Sequence, residues 1–389
     1  MTAKITFFPV DNGDMTLLRL ADSNKTSLLI DCKIRSSADN TKEATPDVAT
    51  ALRGRIGVDS HGRPFIDAML LSHPDEDHCL GLEKHFWLGP LADYPDDKKP
   101  QNEKRIVIRQ IWSSAMVYRR ASSTHTLCDD AKAFNREAKR RISVNIANNF
   151  SVGDGDRILI MGEDENGKTD QLTPILIKQG EKFHGINGIA NSYLTSHLLA
   201  PFGKQDDDTE EVLSKNGSSV IIRFEIKNSI LGSNVSHYLT GGDAGVGVWE
   251  RVSDKYSLSE LEYDLLLAPH HCSWRTLSHD SWSENGEAAK VSTKARLALA
   301  QAKSGAIIVS SSKPIVGDDN DPPCIRAKRE YRSMLGANGI FKCTGEEPTR
   351  ANPKPLEFET TSSGFKLATL ITAAAGVTSC SPPRAGAWR

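Results

Sequence analysis

The sequence predicts a mixed α/β fold in which buried strands present a metal-binding site at their ends. Short apolar segments typical of strands alternate with helical patterns along most of the 389 residues. Three of these apolar segments, ending at residues 71, 240 and 267, run into His or Asp residues within a few positions. Because side chains alternate along a strand, its end can direct several of them at one point.

Composition bounds the class of protein without indicating a substrate. A chain of this length forms one large domain or two ordinary ones, and 38% hydrophobic residues suffice for a substantial core. The net charge of −2 gives no overall attraction to nucleic acid or membranes, so a polyanion site would need local clustering. Seven dispersed cysteines and the absence of a long apolar segment predict a reduced, cytoplasmic protein with no membrane span.

The N-terminal part of the chain opens with strands. Two apolar segments, 5–10 and 15–20, flank the turn Asp11–Asp14, whose Asn-Gly pair favours the positive φ of a tight turn. A third strand, 27–30, ends at Asp31, and a helix is predicted at 48–53. The fourth strand, 68–71, leads directly into the sequence SHPDEDH.

The middle of the chain is polar and irregular. We predict a helix at 82–87, strands at 106–112, 157–161 and 174–178, helical or looped structure at 184–200, and an exposed acidic loop at 206–211. A helix at 127–146 carries a basic face that is either solvated or a phosphate-binding ridge. That face consists of Lys132, Arg136, Lys139, Arg140 and Arg141.

Alternating strands and helices return after residue 217. The predicted strands are 218–226, 236–240, 263–267 and 306–311, with two more near Phe358 and Phe365, and the predicted helices are 247–252, 294–302 and 325–335. We assign 1–345 to a hydrolase domain with insertions at about 90–200. Residues 346–389 form a C-terminal extension whose last dozen residues are predicted to be poorly ordered.

The segment after the fourth strand has the composition of a metal site. His73, Asp75, Asp77 and His78 place two imidazoles and two carboxylates within six residues. Such residues also cap helices or remain solvated, but a capping segment has no need of two imidazoles beside two carboxylates. Asp243, which follows two glycines, and the pair His270-His271 are further ligand candidates. Helix capping by Asp243 and packing of the imidazoles against Trp274 are the alternatives.

These motifs resemble a known family. SHPDEDH followed by Gly81 is similar to the HxHxDH signature of the metallo-β-lactamase superfamily, with Asp75 in place of the second His. Together with Leu239–Asp243 and Pro269-His270-His271, it resembles the metallo-β-lactamase-like domain of DNA-uptake competence channel proteins. Two positions differ, since Cys272 stands where that motif commonly has Gly and Gly242 precedes the Asp where a hydroxyl residue is usual.

The resemblance implies a four-layer αββα sandwich with a metal site at one edge. It implies that His73 and Asp75 help to hold one ion, that Asp77 and His78 hold a second, and that Asp243 bridges both. One of His270 and His271 completes the second site. We favour His270 as the ligand and His271 as a neighbouring or substrate-contacting residue, with the reverse assignment open. A third imidazole for the first ion has no clear counterpart among His125, His184 and His197.

The expected function is metal-dependent hydrolysis. One or two divalent ions could activate water against a phosphoryl or carbonyl group, with Asp77 as base and His271 as a second catalytic residue. The number of carboxylates makes Mn²⁺ a competitor of Zn²⁺. The competence-type motifs favour a phosphodiesterase or nuclease acting on DNA or RNA, working with unidentified cytoplasmic proteins. A hydrolase of nucleotides, lactones or thioesters and a non-catalytic, metal-stabilised binding module are the alternatives.

Overall fold

The chain has a mixed α/β fold with several sheets. The computed structural model describes residues 2–39, 43–120, 126–204, 214, 216–229 and 234–368. An eleven-stranded sheet, here called the first sheet, and a seven-stranded second sheet account for most strands, and a two-stranded sheet completes them. The strands are β1 (Lys4–Phe7), β2 (Thr16–Arg19), β3 (Ser27–Ile30), β4 (Gly57–Val58), β5 (Pro64–Leu70), β6 (Phe86–Trp87), β7 (Ile106–Ser113), β8 (Arg157–Met161), β9 (Leu176–Ile177), β10 (Lys182–Phe183), β11 (Gly185–Ile186), β12 (Ile189–Ala190), β13 (Leu194–Ala200), β14 (Ile221–Lys227), β15 (Val235–Thr240), β16 (Tyr263–Leu267), β17 (Ala302–Ser310), β18 (Ile340–Cys343), β19 (Leu356–Thr361) and β20 (Gly364–Leu367).

Helices flank these strands in the described part of the chain. The α-helices are α1 (Val48–Arg53), α2 (Glu76–Cys79), α3 (Leu82–His85), α4 (Ala115–Arg119), α5 (Asp129–Ala147), α6 (Val246–Lys255), α7 (Leu258–Leu261), α8 (Trp282–Asn285), α9 (Thr293–Leu299) and α10 (Ile325–Met334). Single 3₁₀ turns lie at Ser36–Asp39, Leu91–Asp93, Glu165–Gly167, Asp170–Ile175, Asn216–Ser218, Trp274–Thr276 and Gly286–Ala288. None of the described helices is both long and apolar enough to cross a membrane.

The first sheet has the order β20-β19-β1-β2-β3-β5-β7-β8-β9, with β4 and β6 attached to β5 and β7. The predicted hairpin is confirmed, because β1 and β2 pair antiparallel from Lys4 opposite Arg19 to Phe7 opposite Thr16. From β3 onwards the neighbours in this order run parallel. The carboxyl ends of β3 and β5 therefore lie side by side, which places Asp31 next to the segment that begins at Ser72.

The second sheet has the order β10-β13-β14-β15-β16-β17-β18. Strands β13 to β15 are antiparallel, whereas β15 to β18 are parallel. Because β15 and β16 end at the same edge, Asp243 after β15 and the His270-His271 pair after β16 lie close together. The topology of each sheet thus brings one part of the predicted ligand set to one edge.

Three buried clusters form the core. In one of them, residues of both sheets pack together, including Leu28 and Ile30 from β3 with Leu265 and Leu267 from β16. The intervening Leu29 and Leu266 point to the opposite faces of their sheets, as the strand period of two requires. There the first sheet packs against α1 and α5, and the second sheet packs against α6, α9 and α10.

Several stretches differ from expectation. The predicted helix at 82–87 ends at His85, because Phe86–Trp87 pairs with β7 as β6, and the predicted strand at 174–178 is a 3₁₀ turn followed by the short β9. Residues 194–200, predicted as helical or looped, form the buried strand β13 between β10 and β14. The predicted strands near Phe358 and Phe365 exist as β19 and β20, but β19 pairs with β1, so part of the C-terminal extension belongs to the first sheet. The predicted acidic loop at 206–211 and the last dozen residues lie outside the described residues.

Candidate metal centre

The segment after β5 is held in place by backbone hydrogen bonds to two neighbouring loops. Cys32 N donates to His78 O at 2.8 Å, and Asp14 N donates to Asp77 O at 3.2 Å. The buried Asp31 carboxylate accepts from Ser72 N and Ser72 Oγ, both at 2.7 Å. These contacts fix the direction of the side chains that the short helix α2 presents.

Asp243 lies at the middle of the cluster, and its two carboxylate oxygens face different imidazoles. Its Oδ1 lies 3.1 Å from His78 Nε2 and 3.5 Å from His271 Nε2. Its Oδ2 lies 3.6 Å from His73 Nε2 and 3.5 Å from His270 Nε2. The carboxylate thus separates two pairs of imidazoles, one pair on each oxygen.

The Oδ1 side is buried and rich in carboxylates. His271 Nε2 lies 3.1 Å from Asp77 Oδ2, and His271 Nδ1 lies 3.5 Å from Asp14 Oδ1. His78 Nδ1 lies 2.8 Å from Asp31 Oδ2, which fixes the orientation of its ring. One potential ligand atom from each of Asp14, His78, Asp243 and His271 lies within 4.8 Å of the others, so this buried group could hold a metal ion.

The Oδ2 side is partly exposed. His73 is fully buried and its Nε2 lies 3.3 Å from Asp75 Oδ2, while the side chains of Asp75 and His270 are 17% and 18% exposed. His73, Asp75, Asp243 and His270 thus present two imidazoles and two carboxylates to one place. On the Oδ1 side, Asp77 is the exposed member, so each side of Asp243 has ligand candidates that solvent can reach.

An unusual turn separates the two neighbouring imidazoles. Within Pro269–Cys272, the φ angles of His270, His271 and Cys272 are 52°, 53° and 68°, all in the left-handed region. Side chains with a Cβ rarely adopt this conformation, and a run of three is rarer still. The turn directs the two rings at 79° to each other, so that consecutive residues reach different oxygens of Asp243.

The buried polar atoms of this cluster fit a cation. Within the described residues, no hydrogen-bond partner is found for five buried atoms, which are Asp14 Oδ1, His73 Nε2, His78 Nε2, Asp243 Oδ1 and His271 Nδ1. Unsatisfied buried atoms are costly, and several of them converging on one place indicate a ligand that satisfies them. The mixture of imidazole and carboxylate groups suits Zn²⁺ and Mn²⁺ alike.

No family model, curated protein or solved structure matches the chain.

Electrostatic coupling in the cluster is strong. Burial opposes ionisation of Asp243, yet His271, His78, His270 and His73 together hold its pKa well below the usual range. Burial disfavours a proton on His271, but Asp243, Asp14 and Asp77 outweigh burial and raise its pKa to about 10. The pKa of His78 is also raised, because Asp243 and Asp31 outweigh the effect of its burial. Without a metal, protons on these imidazoles balance the carboxylates.

His270 differs from the other imidazoles. Burial is the main cause that lowers its pKa, and the attraction of Asp243 does not reverse it. A neutral imidazole is ready to bind a metal without first losing a proton. His270 contacts Asp243 on the Oδ2 side, whereas the preferred assignment placed it with Asp77 and His78.

The structure brings together all the predicted site residues around Asp243. His73 and Asp75 lie on the Oδ2 side, and Asp77 and His78 on the Oδ1 side, which is the grouping that the resemblance implied. His271, expected as a neighbouring or substrate-contacting residue with the role of ligand left open, belongs to the buried four-residue group. His184 contacts Thr195 and His197 packs on Tyr256, while His125 lies outside the described residues.

Two further residues were missed by the sequence analysis. Asp14 appeared only as a turn residue, and Asp31 only as the end of a strand. The signal available for Asp31 was its place at the end of a strand next to the ligand-bearing strand in a parallel sheet. Asp14 lies in a segment, 10–14, to which the family resemblance also extends, but an Asp after Asn-Gly is expected in any tight turn, so it was not singled out.

The predicted basic ridge on α5 is largely neutralised. Arg141 is buried and its Nε lies 2.7 Å from Glu137 Oε1. Arg140 pairs with Glu137 and Asp156, Arg136 pairs with Glu83, and Lys132 pairs with Asp129. Most of the basic side chains on this face of α5 are therefore already paired with carboxylates of the same chain. This pairing gives no support to a phosphate-binding ridge.

A cavity of about 610 Å³ adjoins the Oδ2 side of the centre. Asp243 and His270 form part of its wall, so a molecule in it would contact the centre directly. Its other walls include the first turn of α6 and side chains of both charges. Among them are Gly245, Glu250, Asp254, Arg275 and Lys294.

Proposed function

We propose that this protein is a metal-dependent phosphodiester hydrolase of the metallo-β-lactamase type, acting on DNA or RNA. The single observation that carries the proposal is the position of Asp243 between two imidazole pairs, one on each carboxylate oxygen. A carboxylate placed in this way is suited to bridge two cations. Paired cations are typical of enzymes that cleave phosphodiesters.

The fold part of this proposal is a four-layer αββα sandwich. One core cluster joins the two sheets, and the other two join each sheet to its own helices. Helix, sheet, sheet and helix in that order would produce such a distribution of buried residues. The ligand-bearing strand ends from both sheets would then meet at one edge of the sandwich.

The remaining ligand candidates form two sets, one on each side of Asp243. We infer that His73, Asp75 and His270 hold one ion and that Asp77, His78 and His271 hold the other, with Asp14 close enough to replace or orient a ligand. When bound, divalent ions supply a water of lowered pKa and neutralise charge on the attacked phosphoryl group. The hydrogen bond from His78 Nδ1 to Asp31 fixes which nitrogen of the ring faces Asp243.

Asp77 is the most exposed residue on the Oδ1 side, with 33% of its side chain accessible. Burial opposes its ionisation, but His271 and His78 hold its pKa well below the usual range. A carboxylate that stays ionised is a good ligand and a weak base. Any proton received at Asp77 Oδ2 would be shared with His271 Nε2, 3.1 Å away, so the pair rather than Asp77 alone accepts it.

The proposal is tested by metal analysis of the purified protein together with cleavage assays. We expect up to two equivalents of Mn²⁺ or Zn²⁺ and cleavage of single- or double-stranded DNA or RNA with one of these ions. Asp243→Asn and His78→Ala should lower both metal content and activity at least a hundredfold. His61→Ala removes an exposed imidazole elsewhere and should change neither quantity. Absence of cleavage with every substrate and metal, by a protein that binds metal, would contradict the proposal.

The cavity favours a second candidate, hydrolysis of a small molecule such as a nucleotide. Its volume of about 610 Å³ lies in the range of pockets for small ligands. The two candidate functions are distinguished by comparing kcat/KM for a dinucleotide with kcat/KM for a longer strand. A small-molecule enzyme would gain nothing from added nucleotides, whereas a nuclease would be faster on the longer strand.

A further inference from the structure

Lys33 lies beside the proposed metal centre. Its neighbours are fixed to the ligand segment, because Cys32 N donates to His78 O and Ile34 N donates to Leu80 O, both at 2.8 Å. Residue 33 is therefore held next to this segment by the residues on either side of it. Its position is set by the backbone and does not depend on the long, flexible side chain.

The side chain of Lys33 lies closely against Gly13. A Cβ added at Gly13 would come within 2.3 Å of Lys33 Cδ and 2.6 Å of Asp77 O. Gly13 also has a φ of 151°, which disfavours other residues. The glycine thus provides the space in which the lysine side chain passes close to the backbone of Asp77.

The charge of Lys33 is not neutralised by a carboxylate partner among the described residues. Its ammonium donates to the backbone carbonyl of Asn12 and makes no other hydrogen bond to the described residues. The nearby Arg35, in contrast, forms an ion pair with Asp11. Burial is the main cause that lowers the pKa of Lys33, while Asp77 is the strongest group opposing the shift. An ammonium group has three donors, so two of them remain.

We propose that Lys33 binds a non-bridging phosphate oxygen of the substrate at the Asp77 side of the metal centre. This inference rests on the proposed function and names a residue that positions the substrate. An ammonium is a compact point charge that suits a phosphate oxygen, and a half-buried position strengthens its contact. Asp77 is the most exposed ligand candidate on this side, and the Lys33 side chain passes close to the Asp77 backbone, which places a cation near a phosphate bound there.

The inference is tested with Lys33→Met, which removes the charge and keeps most of the side-chain volume, and with Lys33→Arg, which restores a charge. Lys139→Met removes an exposed charge on α5 and is the matched control. Binding is measured by fluorescence anisotropy of a labelled single-stranded oligonucleotide with ordinary phosphodiester linkages, in EDTA to prevent hydrolysis, at several salt concentrations. KM and kcat are measured with the same oligonucleotide after metal is added.

We expect Lys33→Met to weaken binding about tenfold, the loss of one charged hydrogen bond. The slope of log affinity against log salt should fall by about 0.7, the value for one phosphate contact on a single strand. KM should rise more than kcat falls, and Lys33→Arg should recover part of the affinity. Lys139→Met should leave the slope unchanged.

Two results separate the possible failures. If wild-type protein cleaves the oligonucleotide and Lys33→Met keeps the wild-type salt slope and affinity, Lys33 does not contact the substrate and this inference is wrong. If wild-type protein loaded with metal does not cleave at all, the proposed function fails first. A loss of activity in Lys33→Met with an unchanged salt slope would indicate a role in packing alone.

Discussion

At the scale of single residues, Asp243 is the group on which the centre depends. Four imidazoles lie within 3.6 Å of its two oxygens, and each of them helps to keep it ionised. In return, Asp243 raises the pKa values of His78 and His271, so metal ions and protons compete for the same nitrogen atoms.

This competition predicts how the metal-free protein responds to pH. The pKa of His271 is about 10 in the folded chain and near 6.5 when unfolded, so its contribution to stability is complete below pH 6.5 and disappears as pH rises through 10. In EDTA, the free energy of unfolding should fall between pH 7 and 9, by up to about 1.4 kcal/mol per pH unit for each such proton. Thermal unfolding at several pH values measures this.

Asp243→Asn provides the control for that prediction. The amide removes the charge that raises the pKa values of His271 and His78, so the fall in stability above pH 7 should become shallower. A metal-free wild-type protein whose stability is constant from pH 7 to 9 would show that these imidazoles are already neutral.

Sequence reasoning found site residues where they were contiguous. His73 to His78 could be recognised because all four ligand candidates follow one strand. The division of His270 and His271 between two oxygens could not be predicted, because it depends on left-handed backbone angles that neither residue type favours. The ion pairs on α5 could not be predicted either. Helical periodicity places Arg141 on α5, but it does not show that Arg141 and Glu137 are both buried and form an ion pair.

At the scale of elements, the turn after β15 controls the position of Asp243. Gly242 has a φ of 48°, and a Cβ there would lie 2.8 Å from Ser72 Oγ. Ser72 in turn donates to Asp31, which orients His78. A glycine at this position is therefore required by both the backbone angle and the neighbouring loop.

A pair of glycine substitutions tests this requirement. Gly242→Ala should lower the free energy of unfolding by about 2 kcal/mol or more through a left-handed alanine and an overlap with Ser72. It should also weaken metal binding. Gly247→Ala, in α6, meets no atom within 4 Å and should raise stability by up to about 1 kcal/mol. Chemical denaturation and metal titration measure both, and equal effects of the two variants would refute the argument.

Elements were predicted well where hydrophobic periodicity was uninterrupted. Strand β16 and helix α5 are examples, because β16 is a short, mainly apolar segment and α5 keeps a helical spacing over 19 residues. β13 was not recognised, since the Gly and Asn residues before it resemble a loop and its polar residues Thr195 and His197 interrupt the apolar run. Its strand conformation comes from pairing with β14, a contact that lies outside the local sequence.

At the scale of the whole molecule, the centre joins the two sheets. Asp14 and the residues 73–78 follow strands of the first sheet, whereas Asp243, His270 and His271 follow strands of the second. Hydrogen bonds also cross there, including Val220 N to Ser72 O at 3.0 Å and Ser311 Oγ to Gly13 O at 2.6 Å. A metal bound to both sets would add a further connection between the sheets.

Removal of metal should therefore destabilise the entire fold. A ligand present at a thousand times its dissociation constant adds about 4 kcal/mol to the free energy of unfolding. We expect EDTA to lower the midpoint of thermal unfolding by several degrees in a single cooperative transition, and added Mn²⁺ or Zn²⁺ to restore it. An unchanged midpoint in protein shown to be metal-free would mean that the ions contribute nothing to holding the sheets together.

The left-handed residues after β16 bear on when a newly made chain can acquire its ions. Each such residue is unfavourable by about 1–2 kcal/mol in an isolated segment, so the turn needs support from elsewhere. That support includes His270 N donating to Gly242 O at 2.9 Å and Cys324 N donating to Cys272 O at 3.0 Å. Until residue 324 has been synthesised, the turn lacks the second of these hydrogen bonds. We therefore expect any metal to bind after this part of the chain has been made.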